Sequence, residues 1–156
     1  MNFSNIKGFT RHLATLPAAV QHAQHAGLAA AGRNLTQHAK AMIGTENEKW
    51  PALAASTVEE KQRLGYTGKV SATDPLLRTG ELRDSISAKV EGAKVVLGAT
   101  DPIALFQELG TSRIPARSFI AATVFKEGHA AAHTVAEHVV AAMAGRPPRS
   151  NTEKLP

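Results

Sequence analysis

The sequence predicts an α+β fold: a long N-terminal helix, a small antiparallel β-sheet with short helices, and a C-terminal helix packed on the sheet. Two observations place the helices. Apolar residues recur every three or four positions from Phe9 to Ile43, and again from about Ser118 to Ala144. A third places the sheet. Lys94-Val95-Val96-Leu97-Gly98 is rich in β-branched residues and follows Gly92-Ala93, a hairpin turn that pairs it with about Ser85–Glu91.

In chain order, residues 1–8 read as frayed. Phe9, Leu13, Leu16 and Val20 start the first stripe, and Leu28, Ala31, Leu35, Ala39 and Met42 continue it. Pro17 lacks a backbone N–H and crowds the preceding turn, so a short helix should precede a second one over about Ala18–Ile43. That second helix would be about 40 Å long, weakened at Gly27 and Gly32 and stopped by Gly44. A polar link leads to Trp50, the only tryptophan, expected to anchor a loop on the core. Thr57-Val58-Glu59-Glu60 has the spacing of a capping box for a helix reaching about Leu64. Gly65–Pro75 lacks periodicity and reads as a long exposed loop that orders on contact with a partner. One turn of helix is expected after Thr79, ahead of the hairpin. Asp101-Pro102 supplies a helix start and Gly110 its stop, which sets a short helix over 102–109. After an elbow carrying Arg113, Pro115 and Arg117 comes the last helix, ended by Gly145. The expected organisation is one domain over 1–145, with N-terminal helices over 1–44 and an α+β core over 45–145. A disordered basic tail occupies 146–156.

Composition narrows the function classes. Aromatic residues are only 4% of the chain, so burial must come from closely packed alanine-rich helices or from other subunits. With no cysteine, disulfides, thiolate nucleophiles and cysteine-ligated zinc are excluded. No apolar run approaches the ~20 residues of a membrane span, and the N-terminus lacks a signal-peptide core. The expectation is a soluble chain made in a cytoplasm, without a membrane partner. Basic excess sits at the two ends: residues 1–45 hold Lys7, Arg11, Arg33 and Lys40 and no acid, and the tail holds Arg146, Arg149 and Lys154 against Glu153. Such ends suit solubilising charge or non-specific proximity to DNA.

Signals for catalysis are weak. His129 and His133 share a helix face with Glu137 one turn on, a loose metal-ligand spacing, but Ala130 stands where a zinc hydrolase needs glutamate. Gly65-Tyr66-Thr67-Gly68-Lys69-Val70 lacks both the spacer and the Ser/Thr of a phosphate loop. No nucleophile elbow is present. The expectation is no catalytic residue, no metal and no cofactor, and hence not an enzyme. A stiff elbow with two guanidinium groups is better suited to holding a neighbour: Arg117 could clamp Glu108 within the chain or meet a carboxylate across a subunit boundary. Both readings make the segment structural.

An ordered set of residues carries a resemblance. Trp50-Pro51-x-Leu53, Thr57 with Lys61, Leu77-x-Thr79-Gly80-x-Leu82-x-x-Ser85-Ile86 and Val96-x-Gly98 come first. Phe106-Gln107-Glu108-x-Gly110-Thr111 and Ile114-Pro115-Ala116-Arg117-x-Phe119-Ile120 follow. Together they resemble bacteriophage tail-completion and virion-morphogenesis proteins, the Mu-type morphogenesis family and its lambdoid head–tail joining relatives. The set spans about Trp50 to Ala121. Ser118 departs from the proline common in that family; serine can still cap a helix, so the elbow should survive. The resemblance implies a structural virion protein of the tail or neck that forms a ring, hexameric or alternatively dodecameric, and joins tail to head. Its partners would be copies of itself and other tail or neck proteins. The subunit interface is expected at Phe106, Glu108, Gly110, Arg113, Pro115, Arg117 and Phe119, and the contact with the next ring at Tyr66, Lys69 and Asp74. The alternatives are a DNA-packaging or DNA-binding accessory protein and, less favoured, a metal-dependent hydrolase.

Overall fold

A computed structural model of the chain describes residues 6–45, 50–66 and 71–146. The elements are α1 (Ile6–Met42), α2 (Ala55–Arg63), α3 (Glu81–Ser85), β1 (Ile86–Glu91), β2 (Lys94–Ala99), α4 (Ile103–Leu109) and α5 (Ile120–Met143). The strands form a two-stranded antiparallel sheet, and α5 packs on it, giving the α+β architecture expected. Contacts group the chain into two compact units. One is drawn from Met1–Asn34, Lys89–Val96 and Gly128–Pro156, the other from Leu35–Ala88 and Leu97–Glu127.

In the first unit, α1 and α5 meet through small side chains. Ala23, Ala30 and Ala31 are buried, and a Cβ at Gly27 would lie 2.9 Å from the Val135 Cα. Gly27 therefore marks a close approach of backbones rather than a weak point of the helix. The second unit has a core of larger residues. Ile43, Leu77, Leu82, Ile86 and Phe119 are its centre, with Trp50, Leu97 and Ile120 packed against them. Phe119 is 0% exposed, so the residue before α5 fixes that helix to the base of the hairpin. Trp50 does anchor its loop on the core.

Several local expectations are corrected. Instead of two helices broken at Pro17, α1 is one helix of 37 residues with Pro17 inside it. Leu13 and Pro17 are both exposed, so water can solvate the carbonyl left without its N–H partner. Residues 6–8, expected to be frayed, belong to that helix. The capping box does not form. Helix α2 starts two residues ahead of Thr57, after the extended Ala54, and its start has no side-chain cap. The 65–75 stretch is not open throughout. Lys61 Nζ donates to the carbonyls of Ser71 (3.2 Å) and Asp74 (2.8 Å), Asp74 Oδ2 accepts from the Ser71 N–H, and Ala72 and Pro75 are buried. Part of the loop is thus folded onto α2 without a partner. The tail expected to be disordered lies outside the described residues beyond Arg146.

Candidate functional site

The elbow between α4 and α5 is built by polar fasteners. Asp101 Oδ1 accepts from the Ile103 N–H (2.9 Å) and starts α4. Gly110 ends it with φ +75°, and a Cβ there would sit 2.8 Å from the Ala116 nitrogen, so the turn admits no side chain. Thr111 then closes the elbow on itself: its N–H donates to the Ile114 carbonyl (2.8 Å), and its hydroxyl accepts from the Arg113 and Ile114 N–H groups.

Glu108 and Arg117 do not pair. The Glu108 carboxylate instead caps α5, accepting from the N–H groups of Phe119 (2.9 Å), Ile120 (3.0 Å) and Ala121 (2.8 Å) and from the Ser118 hydroxyl (2.6 Å). A carboxylate at a helix start satisfies orphan donors and meets the positive end of the dipole. Burial pushes this carboxyl up, but the bonds from Ser118, Ala121, Ile120 and Phe119 outweigh that and hold it below the ordinary glutamate range. Ser118, where the resembled family has proline, thus buttresses the capping carboxylate rather than capping the helix itself.

Arg117 turns inward and is 5% exposed. Its Nη2 donates to the carbonyls of Pro51 (2.9 Å) and Ala52 (3.4 Å), while its backbone N–H donates to the Gln107 carbonyl (2.7 Å). The expected Arg117–Glu108 clamp is thus replaced by a tie from Arg117 to the Pro51 and Ala52 carbonyls. Arg117 Nε and Gln107 Oε1 are buried with no hydrogen-bond partner among the described residues, and both residues line a cleft of about 540 Å³. Cations Lys61, Arg78, Arg113 and Arg117 around that cleft are matched by Glu60, Asp74, Glu81 and Asp101, so it has no net sign of charge. Lys61, 3% exposed, is pushed down by burial; Asp74 opposes this and Arg78 adds to it. The Thr79 hydroxyl donates to Glu81 (3.0 Å) while the Glu81 N–H donates back to Thr79, which is local wiring at the start of α3.

The expected interface residues split into two sets. Phe106, Arg113 and Pro115 are exposed and Glu108 and Gly110 half-buried, whereas Arg117 and Phe119 are inside. Of the expected partner-loop residues, Tyr66 lies 5.4 Å beneath the Arg78 guanidinium and Asp74 is engaged with Ser71. Lys69 lies outside the described residues. Beside the expected Phe106, the outward side of α4 carries three apolar residues not singled out from the sequence, Ile103, Leu105 and Leu109, all at least half exposed, Leu109 by 71%, and on the first turns of α5 Phe125 is 92% exposed. Glu108 ties the last turn of α4 to the first turn of α5, so these apolar side chains flank one clamp. A spacing of exposed Leu105 and Leu109 one turn apart was the available signal.

The histidine set is dispersed. His133 Nδ1 is 3.6 Å from Glu137 Oε1, His138 Nδ1 is 2.8 Å from the Thr134 carbonyl, and His129 faces solvent. Among the described residues, no three His, Asp or Glu side chains gather as metal ligands, and no helix is long and apolar enough to cross a membrane. Compared with family models, curated proteins and solved structures, the chain matches none.

Proposed function

We propose that the chain is a structural virion subunit, a tail-completion or head–tail connector protein of the phage neck, which closes into a ring and joins tail to head. One observation supports this above the rest: α4 places Leu105, Phe106 and Leu109 in solvent beside an elbow locked by Glu108 and Thr111. Large apolar side chains clustered on a rigid support suit a permanent contact with another subunit. A ring needs two different surfaces that meet head to tail and close by rotation. In this reading α4 and the exposed Phe125 provide one surface, with Arg113 and Pro115 at its rim. Arg117 acts beneath that surface, holding its support rather than touching the neighbour. The subunit carries no reaction of its own.

Sedimentation of the purified chain tests the proposal. A closed oligomer is expected, reduced to monomer by Leu105→Asp with Leu109→Asp at an unchanged far-UV circular dichroism spectrum. In a lysate lacking the protein, electron microscopy should show filled heads beside separate full-length tails. A chain that stays monomeric at high concentration and is absent from particles would refute the reading.

A further inference from the structure

One face of α1 has no part in the packing described so far. Lys7, Arg11, His22, His25 and Arg33 are all exposed. At 100° per residue they fall within an arc of about 80°. The buried residues Ala23, Leu28, Ala30 and Ala31 lie on the other side of the helix. No acid occurs anywhere in α1. Among the described residues, Lys7, Arg11 and Arg33 make no ion pair with a carboxylate. Arg11 and Arg33 stand about 33 Å apart along the axis at 1.5 Å per residue, close to the ~34–36 Å helical repeat of B-DNA.

We infer that this stripe is a contact surface for duplex DNA, gripping the phosphate backbone without regard to sequence. A helix laid along the duplex axis would set Arg11 and Arg33 against phosphates one turn apart, with Lys7 beside the first and the two imidazoles between as hydrogen-bond donors. The duplex supplies a negative charge every ~1.7 Å of its axis, and the stripe offers cations on a helix that carries no acid of its own. A lipid surface fits less well, because the apolar side of residues 23–31 is already buried within the chain. Single strands need aromatic platforms, and the basic face has none. The inference goes beyond the assembly reading and is independent of it: a monomer that binds duplex would leave it intact.

The test is fluorescence anisotropy of the full chain with a labelled random-sequence duplex, titrated over a range of salt. Expected is binding that falls with log salt at a slope of about −3, from ~0.9 per cation for three cations. In Lys7→Gln/Arg11→Gln/Arg33→Gln, with circular dichroism unchanged, the slope should flatten towards zero and most of the binding should disappear. The charge-keeping variant Arg11→Lys/Arg33→Lys should bind like wild type. Three results would each overturn the inference: no binding at low salt, equal binding by the triple glutamine variant (placing the contact on other cations), or equally effective displacement by polyglutamate.

Discussion

The two units solve the same packing problem with opposite means. In one, α1 and α5 approach until backbone nearly touches backbone, and Ala23, Gly27, Ala30 and Ala31 are small so that they can. In the other, the larger side chains of Ile43, Leu82, Ile86 and Phe119 fill the core, and charged groups tie the loops: Glu108 to the start of α5, Arg117 to Pro51, Lys61 to the 71–74 turn. The first kind of contact gains dispersion over a long seam and tolerates no growth. The second gains transfer free energy from a few large side chains and tolerates no shrinkage. This second kind of core lies beneath the proposed assembly surface, where Ala104 of α4 joins it.

That contrast can be broken most sharply at Phe119. Phe119→Ala removes the largest fully buried side chain and should cost about 3–5 kcal/mol, read as a lower denaturant midpoint in urea unfolding. Because Phe119 precedes α5, the loss should carry the elbow with it. A cost below ~1 kcal/mol would mean that the second unit is not held by its large residues.

The reverse experiment belongs to the first unit. Gly27→Ala gains about 1 kcal/mol of helix propensity but drives a Cβ to 2.9 Å from the Val135 Cα, an atom that cannot swing away. Overpacking of this kind costs about 1–3 kcal/mol, so the net effect is a loss of up to about 2 kcal/mol on the same urea assay. Stabilisation by Gly27→Ala would show that the seam has slack, and the distinction between the units would fall.

How much of this was legible depended on how local the cause was. Glycine at 110, Asp101-Pro102 and the Gly92 hairpin act through their own backbone, and the elements start and stop where those residues say. Pro17 misled because the damage it does depends on whether the freed carbonyl meets water, which sequence does not record. Thr57 and Glu60 had the right spacing for a cap, yet Arg117, more than fifty residues on, holds Pro51 and Ala52, and the helix begins at Ala55. Glu108 and Arg117 read as a pair because opposite charges lie within reach. Arg117 found backbone carbonyls and Glu108 found backbone N–H groups and the Ser118 hydroxyl, and bonds between a charge and backbone leave no complementary charge to notice. The residues expected at a subunit interface fall on both sides of the fold: Phe106, Arg113 and Pro115 are exposed, whereas Arg117 and Phe119 serve the interior.

The smallest effect isolates the polar fasteners from the core. Glu108→Gln keeps one acceptor oxygen, loses the other and loses the charge facing the start of α5, which should cost about 1 kcal/mol at neutral pH. Its pH dependence carries the diagnosis. The carboxyl sits below the ordinary glutamate range in the folded chain, so its contribution is complete above the unfolded pKa of about 4.3 and is lost as pH falls through the lower folded value. Wild type and Glu108→Gln should therefore differ at neutral pH and converge as the medium is acidified below that range. Unfolding curves that stay parallel across the acid limb would show that the ionised carboxylate contributes nothing to the cap, leaving α5 to be positioned by Phe119 alone.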